Sequence, residues 1–411
     1  MKRPADTPGE SASTATLTAE RVAALRADTP GCEHRLHLNT AGAGLPSRRV
    51  LAATTDHLMK EALEGPVEAA IAAQARLDET RNLAAALINA RPADVAWASS
   101  CSHAWGVAFA ALPPLRPGQR MLVSRHEWGG NVATLARAAL RAGCALESIP
   151  CADDGGVDAA ALARLIDQRV ALVALTWLPA NGGLINDAAA VGQVTRAAGV
   201  PLLIDAAQAV GQMPVDVQAI GCDVLVAPGR KHLRGPRGTA LLYVRPSLLR
   251  CLDPAFLDVA AVTGDHGGRP QLSGDASMLE TGETTVAGLL GLREALALAL
   301  EIGPAAIAQR VRALAEQLRA GLAAIAGVTV RDLGTVRSAL VSFTIEGVSA
   351  TRVQQQLAAR RINIGANGVA YTPLDMRVRG LTQIARMSVS YLTTPEEIEW
   401  AVAAVAAVAH G

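Results

Sequence analysis

The sequence predicts an α/β protein with a mainly parallel sheet in a large domain and a smaller α+β domain towards the C-terminus. Two observations carry this. Short apolar runs alternate with longer helical patterns such as "NVATLARAALRAG" and "DAAAVGQVTRAAG", the mark of βα units. After "LSGDASMLETGETT" the composition shifts: helix formers fill 287–325, then come "ALVSFTIEG", the helical "ATRVQQQLAARR" and "ARMSVSYL".

The elements follow in chain order. The opening "MKRPADTPGESASTATLTAE" has no apolar signal core, so residues 1–16 read as a disordered tail. Residues 17–48 are expected to pack with the small domain, 49–288 to form the large domain and 289–411 the small one. Seven strands are expected: "DVAWAS", "RMLVS", "ALESIP", "ALVALTW", "PLLIDA", "DVLVAP" and "TALLYV".

Bulk properties narrow the class. With 38 basic and 37 acidic side chains, a net charge of +1 gives no electrostatic reason for a nucleic acid or anionic membrane partner. No apolar run approaches the ~18–20 residues of a membrane span. Six cysteines without a CxxC pair argue against structural zinc and for a reduced, cytoplasmic chain.

The chemistry-bearing residues gather at strand ends. Asp205, Lys231, Ser99 to Ser102 and His126 to Trp128 all fall at or just after an expected strand, where parallel sheets bind ligands. A lysine for a Schiff base, an aspartate for a pyridine nitrogen and small polar residues at a helix start together make a workable pyridoxal phosphate site. Singly each is weak, because a strand-end aspartate is more often a helix cap and a loop lysine is usually solvated.

The stretch "IDAAQAVGQMPVDVQAIGCDVLVAPGRKHLRGPRGTALLYVR" resembles the cofactor-lysine signature of class V aminotransferase-like enzymes of pyridoxal phosphate fold type I. That group includes cysteine desulfurases, isopenicillin N epimerase-like proteins, kynureninases and ergothioneine sulfoxide lyases, and the resemblance runs from about Leu36 to the end. It implies a seven-stranded sheet, with Lys231 as the cofactor lysine and catalytic base, its acidity raised by Arg230 and burial. Asp205 would pair with the ring nitrogen and Gln208 reach the ring hydroxyl. "SSCSHAWG" resembles the phosphate turn, implying the Cys101 N–H and the Ser102 hydroxyl, with Arg230 as a further phosphate ligand. Pro228 replaces a serine common in relatives. "RHEWGGN" implies Trp128 stacking on the ring. "LETGETT" resembles the loop by which a second subunit reaches the phosphate, implying Thr284, Thr285 and a homodimer.

On the substrate side, "ARMSVSYLTTPEEIE" resembles the motif whose arginine, here Arg386, binds the substrate carboxylate. Asn39 and Thr40 of "HLNTAGAGLPS" could touch substrate. Ala180 stands where desulfurases carry an asparagine, with Asn181 beside it as the candidate amide. Arg377 and Arg379 are candidates for a distal carboxylate, or else solvated loop residues. The loop "NIGANGVAYTPLDMRVRGL" has no cysteine, and none lies beyond Cys251, which disfavours a persulfide-forming desulfurase. The expected activity is carbon–sulfur β-elimination on a cysteine conjugate or its sulfoxide. Transamination, epimerisation and a non-catalytic role for the scaffold are the alternatives. A Rossmann oxidoreductase fails on the absence of GxGxxG after the first strand.

Overall fold

The computed structural model describes residues 16–265, 267–268 and 270–411. Most of the expected tail lies outside the described residues. All seven expected strands form and join one sheet. They are β1 (Val95–Ala98), β2 (Arg120–Val123), β3 (Ala145–Ser148), β4 (Val170–Thr176), β5 (Leu202–Asp205), β6 (Val224–Pro228) and β7 (Ala240–Val244). The order across the sheet is β1-β7-β6-β5-β4-β2-β3, and β7 alone runs against its neighbours β1 and β6. Strands β5, β6 and β7 are buried at every position, which explains why they read as continuous apolar runs instead of alternating ones.

Helices cover both faces. Helices α1 (Arg48–Glu64) and α2 (Pro66–Leu87) form a hairpin, and α3 (Cys101–Ala110) and α4 (Gly129–Ala142) follow β1 and β2. Helix α3 starts at Ser100, whose hydroxyl accepts from the His103 N–H at 3.1 Å, one of the orphan donors of a helix start. Helix α5 (Val286–Ile302) is capped by Thr285 and lies against α1 and α2. The expected boundary between residues 288 and 289 falls in the first turn of this helix, which serves two cores. Leu289, Leu292 and Leu296 belong to the core under the large sheet, whereas Leu298 faces the second core.

That second core lies under a four-stranded antiparallel sheet ordered β8-β9-β11-β10. Its strands are β8 (Val328–Val330), β9 (Leu340–Ile345), β10 (Gly365–Gly368) and β11 (Gln383–Ser388). The N-terminal segment packs here: Leu25, Leu36 and Leu38 are buried in it, and Leu36–His37 pairs in parallel with Ile362–Asn363. From there the chain passes the loop after β6. The Gly44 N–H donates to the Arg230 carbonyl at 2.8 Å, and a Cβ on Gly44 would meet the Lys231 carbonyl at 2.6 Å. Only glycine lets the two backbones approach this closely.

Candidate active site

The chain reverses its direction of travel across the sheet between β2 and β4, and a cavity opens at the carboxyl ends of the strands beside that switch point. It measures about 540 Å³. Trp128 enters from the turn after β2, Thr176 from β4, Asp205 from the end of β5 and Lys231 from the loop after β6. The start of α3 brings Cys101 and Ser102. The small domain closes the other side with Gln354, Asn367, Tyr371 and Arg386.

Nine of the residues expected from sequence line this cavity together: Asn39, Cys101, Ser102, Trp128, Asp205, Gln208, Arg230, Lys231 and Arg386. Lys231 keeps part of its surface open to the cavity. Burial dominates its acidity and pushes the ammonium down to about 8, against the opposing attraction of Asp205, while Arg230 adds a smaller push in the same direction. Asp205 accepts from the Ala207 N–H at 2.9 Å and from the Asn131 amide at 3.1 Å. The Gln208 amide is held between the Ala41 carbonyl (3.1 Å) and His232 Nε2 (3.2 Å). Trp128 meets the Tyr371 ring edge-on, with centroids 5.4 Å apart.

Arg386 is 4% exposed and is oriented by two acceptors, the Ala180 carbonyl at 3.0 Å and Asn39 Oδ1 at 3.2 Å. Its Nε has no partner, and burial lowers the guanidinium to about 10. A buried cation in a cavity wall with an unused donor suits a carboxylate ligand.

Four expected residues lie elsewhere. Thr40 is buried beside a separate void lined by Arg26, Cys32 and Ser390, with its hydroxyl unpartnered. Asn181 does not reach the cavity; its amide donates to Thr372 Oγ1 at 3.1 Å and accepts from Asn367 Nδ2 at 2.7 Å. It therefore positions Asn367, which does line the cavity. Thr284 and Thr285 border a second cleft of about 320 Å³ with Ser99, His103 and Gly238, and Thr285 Oγ1 caps α5 by accepting from the Gly288 N–H. Arg379 pairs with Asp375 at 3.1 Å and with the Arg331 carbonyl, and Arg377 is exposed. Neither of these two arginines lines the cavity.

Sequence reasoning missed His37, Thr176, Arg237, Gln354, Asn367 and Tyr371 in the wall and Asn131 behind it, and included Glu127 only as part of the strand-end stretch His126 to Trp128. The aromatic stretch "VAYTP" was the available signal for Tyr371. Its segment is held close, since the Ala370 carbonyl rests against Gly129 where a Cβ would collide.

A model of the family described as "Aminotransferase class-V" matches residues 37–400. The chain belongs to this family. Among curated relatives of the class-V chain, a "Probable cysteine desulfurase" from Xylella fastidiosa is 30% identical over 80% of this chain and 79% of that protein. A "Probable hercynylcysteine sulfoxide lyase" from Mycobacterium tuberculosis is 31% identical over 83% of each. The apo cysteine desulfurase of Thermococcus onnurineus shares the fold at TM-score 0.86 and 20% identity, covering 95% of this chain and 98% of that one.

Pyridoxal phosphate is the cofactor of this class-V enzyme. The cavity fits it: a part-buried lysine stands near a carboxylate, and a ten-residue helix points its N-terminus and the exposed Ser102 at the end where Arg230 and Arg237 lie. Because only the neutral amine attacks a carbonyl, the sign of a pH effect follows. The rate at which the apoprotein captures pyridoxal phosphate should climb about tenfold per pH unit and level off above about 8. Stopped-flow absorbance would read this; a rate still climbing towards the ordinary lysine value of 10.5 would contradict the placement of Lys231.

Proposed function

We propose that this class-V enzyme is a carbon–sulfur β-lyase acting on a cysteine conjugate or its S-oxide. The observation that carries the reading concerns the one cysteine lining the cavity. Cys101 sits with its Sγ 3.9 Å from Asp205 Oδ1, and burial followed by that carboxylate raises its thiol well above the ordinary value. A thiol held protonated is a poor sulfur acceptor, and the sequence has no cysteine after Cys251. β-Elimination needs no acceptor cysteine.

In this reading Arg386 takes the substrate carboxylate on its free edge. When bound, pyridoxal phosphate supplies an electron sink for charge developing at Cα. Lys231 Nζ removes the Cα proton, a task matched by an amine acidity of about 8. Trp128 and Tyr371, packed edge-on in the wall, would screen the reacting carbon, and His37, Gln354 and Asn367 line the space left for the sulfur substituent. The Cβ–S bond breaks with its electron pair leaving on sulfur, which takes up a proton. Hydrolysis of the unsaturated amine gives pyruvate and ammonia, so with one water a conjugate yields a thiol, and an S-oxide a sulfenic acid, beside pyruvate and ammonium.

A homodimer belongs to the same proposal. Leu58, Met59, Leu63, Val67 and Ile71 on the α1–α2 hairpin are all exposed, and the cleft at Thr284 and Thr285 opens close to Ser99 and His103 at the start of α3. Among the described residues, no helix is long and apolar enough to cross a membrane; a cytoplasmic location belongs to the same proposal and is supported by the six cysteines standing as free thiols.

The deciding assay supplies S-substituted cysteines, their sulfoxides and free cysteine to the holoenzyme. Pyruvate and thiol formed in equal amounts from a conjugate support the lyase. Persulfide formed from free cysteine would replace it with a desulfurase, and turnover only with an added keto acid would replace it with a transaminase.

A further inference from the structure

Glu127 does not line the cavity, yet it is the most elaborately held acid near it. It is fully buried, at 0% exposure, in the turn after β2. Its carboxylate accepts four donors: the Ser124 hydroxyl at 3.0 Å, the Thr176 N–H at 2.7 Å, the Thr176 hydroxyl at 2.8 Å and the Asn131 amide at 2.8 Å. The same amide nitrogen gives its second hydrogen to Asp205 Oδ2 at 3.1 Å. One amide in the first turn of α4 therefore forks between two carboxylates, one in the cavity wall and one behind it. Asn131 is 3% exposed and Asp205 5%, so these bonds lie in a largely dry, low-dielectric setting where each counts for more than at the surface.

We propose that Glu127 is a positioning residue for the cofactor. Through the Asn131 amide it fixes the rotamer of Asp205, and its own charge sets how firmly Asp205 holds the ring nitrogen. The proposal rests on the pairing of Asp205 with that nitrogen.

The chemistry of the fork is one-sided. Asn131 can bridge two acceptors only with its nitrogen towards both, so each carboxylate specifies the amide orientation the other needs. Burial raises Glu127 to about 7, and Asp205 adds to the shift, whereas the Asn131, Thr176 and Ser124 donors oppose it. Both forms of Glu127 are then populated near neutrality. On protonation its O–H points at Ser124 or Thr176, hydroxyls able to reverse their role, and the Asn131 bridge survives in both states. The charged or titratable groups around this pair are Asp205 from β5, Lys231 from the loop after β6 and Cys101 from α3, while His126 on Glu127's own turn faces Asp375.

The test is the visible absorption band of the reconstituted holoenzyme, titrated with pH alongside cofactor affinity. In Glu127→Gln an amide nitrogen must replace one acceptor oxygen, so it meets either the Thr176 N–H or the Asn131 amide donor to donor. We expect the spectral midpoint to move down by about one pH unit, because a negative charge near the cationic lysine linkage is lost, and cofactor affinity to fall about tenfold. Asn131→Ala should also move the midpoint, and adding Glu127→Gln to it should contribute only the share carried by the charge, less than Glu127→Gln does in the wild type, since the bridge is already gone. Wild-type midpoints and affinities in these variants would overturn the proposal; if Glu127→Gln does not fold, Asn131→Ala decides alone. Asp205→Asn separates the two levels. If it alone disturbs the spectrum, the Asp205 reading stands and the role of Glu127 falls. If it binds and absorbs like wild type, both fall.

Discussion

Lys231→Ala is expected to lower turnover by at least about 10³-fold, since general acid–base catalysis alone contributes up to about 10⁴-fold and the same lysine is the one we propose to carry the cofactor. The variant should still bind pyridoxal phosphate non-covalently, because the α3 N-terminus, Ser102, Arg230 and Asp205 are untouched. Its spectrum should then resemble the free aldehyde. The change should not destabilise the apoprotein. A lysine lowered to about 8 lies in a site that penalises its charged form, and alanine removes that penalty. Pyruvate formation and the spectrum of one preparation check both halves. Wild-type activity in this variant would sink the assignment of Lys231, whatever the substrate.

The frame of this site was legible because strand ends are. Each of the seven apolar runs became a strand of the large sheet, and the residues at or beyond their ends, Asp205, Trp128 and Lys231, converge as parallel topology requires. What sequence proximity could not supply was direction. Asn39 lines the cavity and Thr40 does not; Ala180 lines it and Asn181 does not. Thr40 lies in a turn and Ala180 and Asn181 in a bend, where neighbouring side chains leave the backbone in different directions, so adjoining a lining residue does not place a side chain in the wall. Contributions from the small domain were hidden for another reason. Gln354, on a helix, and Asn367, on β10, reach the wall only because the second core packs the N-terminal segment and β11 together. No local pattern encodes that packing. Glu127 fell within the strand-end stretch His126 to Trp128, but its role was hidden: a charged residue in a strand-to-helix turn reads as solvated until four donors are found around it.

Arg386 shows how such a site trades rest-state stability for binding. Among the described residues its guanidinium has only the Ala180 carbonyl and Asn39 Oδ1 as acceptors and no acidic partner, so its charge is buried incompletely paired by the protein itself. A bound carboxylate completes it with charge-assisted bonds worth about 1.5–3 kcal/mol each. Arg386→Ala is therefore expected to lower kcat/KM by about 10²-fold, equivalent to about 2.7 kcal/mol. The visible spectrum should be unchanged, because the arginine is assigned to substrate and not to cofactor. Arg386→Lys should recover only part of the loss: it restores a charge without the fork that grips both oxygens. The two lost protein hydrogen bonds are offset by relief of the incompletely paired charge, so Tm should fall by no more than about 2–4 °C, the shift about 1 kcal/mol produces in a domain of 150–250 residues. Steady-state kinetics beside a thermal melt tests the argument. A large drop in Tm with kcat/KM preserved would make Arg386 a structural tie between β11, Asn39 and the β4 loop instead of a receptor for the substrate carboxylate.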